Sequence, residues 1–236
     1  MSKVKLDFTI PTSLSDITLE QYQKYLKIVE NNKDDKNATE FLNLKSLEIF
    51  CGLELKEAYN VPVSTFNFAL EHIMNCFSEE TPLQKYFSFK DSNGVKQEMG
   101  FMPKLEEMTY GEYVDLDKYF SDWQEMHKAM AVLFRPIETR YKESYLLKEY
   151  KGTEMYGDAM KKMPMDIVFG AVVFFYRLGM KLSENMIPYL EKKAQKSNLS
   201  SKDLLEGGVG IQASMRLLRG TLEDSMRSQR FHYTKQ

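Results

Sequence analysis

Cysteine, histidine and tryptophan are scarce in this chain of 236 residues, which holds two, three and one of them. Cys51 and Cys76 stand 25 positions apart, and His72, His127 and His232 pair with no second histidine or cysteine at metal-ligand spacing. A zinc framework needs that spacing, so no structural metal and no other cofactor is expected. Both cysteines sit in apolar helical contexts, which points to reduced core residues rather than a disulfide. Long apolar runs are missing too. The richest stretch, Ile167 to Tyr176, is bounded by Asp166 and Arg177 and falls well short of the roughly 20 residues a membrane span requires. Met1 to Phe8 has no apolar core of signal-peptide length, so a cytoplasmic site of synthesis is the expectation. Neither sign of charge prevails: 32 basic residues meet 34 acidic ones, for a net charge of -2. That balance argues against a chain built mainly to hold nucleic acid.

What the chain has in quantity is apolar side chain. Hydrophobic residues make up 43% and charged residues 28%, enough to bury a core. Fifteen Phe, 14 Tyr and 15 Met supply bulk that fills irregular interiors and also adapts to varied contact surfaces.

Read along the chain, the pattern is mostly helical. Val4, Leu6, Phe8 and Ile10 alternate with polar residues, a strand signal ended by Pro11. Thr18 with Gln21 makes a capping box for a helix carrying Leu19, Tyr22, Leu26 and Val29. A second helix, about Thr39 to Phe50, stops at Gly52, and a short turn follows from Leu55 to Tyr59. Ser64 is the expected cap of a helix reaching Phe77. Tyr86 to Phe101 reads as two strands around Asn93-Gly94, a pair suited to a tight hairpin turn. Thr109 with Glu112 caps a helix to Phe120, and another is expected from Ser121 or Asp122 to Phe134 or Arg135, ended by Pro136. A short helix at Asp158 to Lys162 precedes a long one opened by Pro164, punctuated by Gly179. Ser183 can cap one more, to about Gln195.

The expected fold is therefore α+β and predominantly helical, with about seven helices, an N-terminal strand and a β-hairpin around Asn93-Gly94. Residues 1–196 form the main domain, and residues 197–236 form a linker and a C-terminal helical arm. An internal echo links Asp16–Tyr22 to Glu107–Tyr113, each with an apolar residue, a capping Thr, its partner three on, and a Tyr. Either a common cap occurs twice, or the main domain is made of two related halves.

Candidates for chemistry are few. Trp123 and His127 lie four apart, with Asp122 and Glu125 near the same face. A histidine beside carboxylates could act as a general base, yet no nucleophile accompanies it. The favoured reading makes Trp123 a core anchor, with Met126, Met130 and Phe134 at helical spacing behind it and His127 at the rim. Asp115, Asp117 and Asp122 lack the periodicity of a calcium loop, and Gly207-Gly208-Val209-Gly210 lacks the Gly-Lys-Ser/Thr ending of a phosphate-binding loop. Those glycines read as a hinge. Beyond them, Met215, Leu218, Leu222 and Met226 form an apolar stripe beside Arg216, Arg219, Arg227 and Arg230. These residues are the candidate partner-binding segment, docking in cis or on another chain.

Four stretches carry a resemblance: Glu107-Met-Thr-Tyr-Gly-Glu-Tyr-Val-Asp-Leu-Asp117, Asp122 to Ile137, Phe41 to Gly52, and Met163 to Tyr176. In their core aromatics, caps and breaks they resemble proteins of tailed bacteriophages described as tail assembly chaperones or virion-associated proteins. The resemblance covers roughly residues 15 to 195. It implies a non-catalytic protein that helps tail components assemble in the host cytoplasm, holding part of a tape-measure protein or baseplate hub. The alternative it leaves open is a permanent virion component at the tail or head–tail connection. Self-association is compatible with either, and neither involves a membrane.

Overall fold

The computed structural model describes residues 8–90, 96–142, 144–178 and 180–181. Helix α1 (Leu19–Asn31) opens on the expected box: the Thr18 hydroxyl accepts from the Gln21 N–H at 3.3 Å, and Gln21 Oε1 accepts from the Thr18 N–H at 2.9 Å. Two of the helix's unpaired amides are met this way. Helix α2 (Thr39–Cys51) ends at Gly52, whose φ of +71° is the left-handed conformation that only glycine adopts without strain. Helices α3 (Leu55–Ala58) and α4 (Val63–Cys76) follow. The cap of α4 is Pro62, one residue before Val63, and Ser64 already lies inside the helix. Proline tolerates that end of a helix, where a missing N–H costs nothing.

Strands β1 (Tyr86–Lys90) and β2 (Lys96–Phe101) pair antiparallel from Tyr86↔Gly100 to Lys90↔Lys96, which is the expected hairpin. Its turn, Asn93-Gly94, lies outside the described residues. Helix α5 (Tyr110–Phe120) starts on the second capping box, Thr109 with Glu112. Both boxes follow a 3₁₀ turn, Leu14–Asp16 before the first and Leu105–Glu107 before the second, so the echo extends to three-dimensional structure.

Helix α6 (Met126–Leu133) begins later than expected, because residues 123–125 form a turn. It passes without a loop into strand β3 (Phe134–Tyr141), and β4 (Ser144–Leu147) returns beside it. This second hairpin was not expected. Pro136 stands inside β3 rather than ending a helix, opposite Met99 of β2. Its carbonyl accepts from the Lys148 N–H at 3.0 Å, just past the end of β4, where its own missing hydrogen leaves no gap in the β3–β4 ladder. The sheet order is β1-β2-β3-β4, antiparallel throughout. Phe8 to Ile10 join no strand, and Val4 and Leu6 of the expected N-terminal strand lie outside the described residues.

Helix α7 (Gly157–Met160) leads to α8, residues 165–178, whose first turn donates from Ile167 and Val168 to the Pro164 carbonyl. Gly179 and Ser183 fall outside the described residues. The described chain is thus α+β, with eight helices and one four-stranded sheet. One buried cluster runs through it from Leu14 to Phe175. The inner face of the sheet, Phe87, Met99, Phe101, Phe134 and Pro136, turns to α8, with Phe101 and Phe175 ring centroids 6.3 Å apart. Gly170 on α8 lets the chain before β1 cross at contact distance, since a Cβ there would lie 2.5 Å from the Pro82 carbonyl oxygen. No helix among the described residues is long and apolar enough to cross a membrane.

Candidate functional site

The cluster around Trp123 and His127 is a joint between helices. Gln23 of α1 reaches into the turn before α6, and its Nε2 donates to the Trp123 carbonyl at 2.7 Å and the Gln124 carbonyl at 3.1 Å. Gln124 Nε2 returns a bond to the Gln23 carbonyl at 3.0 Å. His127 Nδ1 lies 3.2 Å from Gln23 Nε2, so it faces a donor and the network assigns its proton to Nε2. Burial, together with the nearby Lys161 ammonium, holds the imidazole below its ordinary pKa, against the pull of Glu125. Trp123 is 6% exposed, its ring edge-on to Tyr22 at 5.2 Å and to Phe169 at 5.8 Å. His127 is 7% exposed, so it lies inside the core rather than at the rim where the sequence reading placed it, with Nδ1 facing the Gln23 amide.

Two of the candidate carboxylates are also engaged. Asp115 accepts from the Tyr150 hydroxyl at 2.5 Å, and burial followed by this carboxylate raises the phenol's pKa. Asp122 accepts from the Gln124 N–H at 2.8 Å, closing the turn. Among the described residues no three His, Cys, Asp or Glu side chains gather to hold a metal. Cys51 and Cys76 are free and buried, and burial lifts the Cys51 thiol to about 11. At neutral pH that sulfur is protonated and a poor nucleophile.

Sequence reading missed the tie between α5 and the sheet. Glu112 is buried, with Oε2 closing the Thr109 box at 2.7 Å and Oε1 paired with Arg135 Nη1 at 2.9 Å. Tyr150 stacks over that guanidinium at 5.9 Å. The first box has the same double duty: Gln21 Oε1 closes it, while Nε2 donates to the Ile49 carbonyl of α2 at 2.8 Å. The partner dictates the residue, since a carbonyl needs the amide's donor and a guanidinium needs the carboxylate. The one signal available was Gln in one box and Glu in the other.

Several apolar side chains remain uncovered among the described residues, Tyr59, Val63 and Phe68 around α4 included, and two groups of them lie on elements already described. On the distal β3–β4 hairpin, Tyr141 is 60% and Leu146 is 55% exposed, and β4 has β3 as its only strand neighbour there. On α5, Tyr110 and Val114 stand one turn apart facing outward. The partner-binding residues expected from sequence, Met215, Arg216, Leu218, Arg219, Leu222, Met226 and Arg230, lie outside the described residues, as do the linker and the Gly207–Gly210 hinge. No family model, no curated protein and no solved structure matches this chain.

Proposed function

We propose that this protein is a non-catalytic binding protein of a tailed bacteriophage, assisting tail assembly by holding an extended apolar segment of a tail component. The observation that carries the reading is the β4 edge. Ser144–Leu147 has one strand neighbour among the described residues, with Leu146 and Tyr141 exposed beside it. An edge strand offers a row of backbone donors and acceptors to an incoming strand, and exposed apolar side chains beside it take up alternate side chains of the guest. An aggregation-prone segment of a tape-measure protein or baseplate hub has that character. The resemblance of residues 107–117 and 122–137 to tail assembly proteins supports the same partner class. The site of action is then the host cytoplasm.

Co-expression with the phage tail genes, followed by pull-down, tests the reading. A tail protein is the expected partner. The Tyr141→Asp/Leu146→Asp variant is expected to keep its melting temperature and lose that partner. Mass spectrometry of purified virions distinguishes a transient role from a permanent one, because stoichiometric presence makes the protein a virion component. Absence of any tail partner, with a turnover abolished in His127→Ala, overturns the proposal in favour of an enzyme.

A further inference from the structure

Helix α5 is held rigidly on one side and left bare on the other. Its inner face, Glu112, Leu116 and Phe120, is buried, and the Glu112–Arg135 pair fixes it to β3. On the outer face Tyr110 is 81% exposed and Val114 is 42% exposed, flanked by half-buried Tyr113 and Asp117. Residues 105–122 carry six carboxylates, Glu106, Glu107, Glu112, Asp115, Asp117 and Asp122, against Lys118 alone. Glu112 is spent on Arg135 and Glu107 on Lys104, while Glu106, Asp117 and Asp122 form no ion pair among the described residues. The bare face is therefore apolar at its centre and acidic at its margins.

The C-terminal segment has an apolar stripe and a net positive charge, its four arginines within 211–230 outnumbering Glu223 and Asp224. Met215, Leu218, Leu222 and Met226 recur at helical spacing, and Arg216, Arg219, Arg227 and Arg230 accompany them. Such a stripe in isolation is marginal in water and gains stability by laying its apolar side on a surface. The tether is long enough. Residues 182–214 separate Lys181 from Met215, and even if wholly helical those 33 residues span ~50 Å. The α5 face begins close to α8: the Phe120 and Phe175 ring centroids are 5.3 Å apart, and α5 is only ~16 Å long. A tether of this order gives an effective concentration approaching the millimolar range, which favours the arm of the same chain over that of a neighbour.

We infer that residues 211–230 dock on the outer face of α5 of their own chain, with the apolar stripe over Tyr110 and Val114 and the arginines against Glu106, Asp117 and Asp122. The inference goes beyond tail binding and is independent of it, since the contact forms with no partner present. It makes the arm a regulated element, sheltered until something competes for α5 or for the stripe.

The test uses the full chain with a photo-reactive benzoylphenylalanine in place of Tyr110, and in a second protein in place of Val114. Both positions are exposed, so the substitution leaves the core untouched. Isotopically light and heavy chains are mixed, irradiated and mapped by mass spectrometry. The expected product is a link from position 110 or 114 to a peptide within 211–230 of the same isotopic chain. Its yield is expected to fall at least about threefold at high ionic strength, and similarly in Arg216→Glu/Arg219→Glu, as screened charge pairs require. Links joining light to heavy chains make the occupant a second copy and overturn the cis assignment. Links to other segments only, or no link at either position, overturn the docking itself.

Discussion

The ring of Tyr145 lies across Gly100. A Cβ at position 100 would fall 2.6 Å from Tyr145 Cε2 and 2.9 Å from Leu147 Cδ2. From β4 the phenol reaches over the outer face of the sheet and donates to the Phe101 carbonyl at 2.6 Å, with the Lys85 carbonyl at 3.0 Å. One side chain on an edge strand thus covers the glycine of β2 and meets carbonyls at the end of β2 and just before β1. The irregular register between Ile137 and Thr139 keeps this face continuous, because it places Arg140, paired with Tyr145, where it also reaches Glu98 and stacks on Tyr86.

Gly100→Ala is accordingly expected to destabilise the fold by about 1–3 kcal/mol, the usual cost of forcing a methyl into a filled site. Tyr145→Ala removes the nearest of the obstacles, leaving Leu147 and Ile137, so the two changes are expected to be less than additive in chemical denaturation. Strict additivity would show that the ring does not rest on Gly100.

The two capping boxes are expected to reject each other's residue. Gln21→Glu sets a carboxylate against the Ile49 carbonyl in place of a donor, and the lost bond with its unmet acceptor costs about 1–3 kcal/mol. Glu112→Gln leaves the Arg135 guanidinium, 13% exposed, without its counter-charge, and breaking a buried pair costs about 3–5 kcal/mol. The wild-type residue types carry this pattern if Glu112→Gln is clearly the more damaging in urea unfolding. Equal, small effects would reduce both side chains to simple caps.

His127 gives the molecule a pH dependence with a definite sign. Its folded pKa lies below the ordinary 6.5, chiefly through burial. The unfolded chain therefore binds the proton more readily, and stability present at neutral pH is lost as pH falls from about 6.5 through the folded pKa. His127→Gln keeps an acceptor for Gln23 and cannot take up that proton. Its melting temperature is expected to fall less than wild type's on acidification over this window. Parallel curves for the two proteins would remove His127 as the source.

Much of this was legible in the sequence because it was local. Thr18 with Gln21, Thr109 with Glu112, and Gly52 announce helix ends through bonds made within a few residues. Burial of Trp123, Met126, Met130 and Phe134 was expected from helical spacing and is observed, although only Met126 and Met130 lie on α6. The β3–β4 hairpin was not legible, for two reasons. Pro136 normally excludes an interior strand, and only the alignment of its missing hydrogen with the end of β4 permits it here. The polar run Glu138, Thr139, Arg140 also breaks the alternation that marks a strand, because the bulge moves the register mid-strand. The roles of Gly100 and Gly170 are set by distant neighbours, Tyr145 and the Pro82 carbonyl, which no local pattern announces. The candidate surfaces share this dependence on distance, since the outer face of α5 is bare only because the other described elements pack elsewhere.

Core and surface can be separated by comparing Trp123 with Tyr110. Trp123 is 6% exposed among Tyr22 and Phe169, and truncation of a buried aromatic of this size to Ala costs about 3–5 kcal/mol. Tyr110 is 81% exposed, and surface truncation usually stays within about 0.5 kcal/mol. Trp123→Ala should lower the melting temperature and, through it, every interaction of the protein. Tyr110→Ala should leave the melting temperature nearly unchanged while exposing the C-terminal arm to added protease, because the apolar centre of its docking face is gone. Limited proteolysis followed by intact mass reads both effects in one sample. A Trp123→Ala protein that keeps its melting temperature yet loses a tail partner would turn the Trp123 cluster from a joint into an interface. A Tyr110→Ala protein whose arm is cleaved no faster than wild type's would leave the α5 face without the occupant assigned to it.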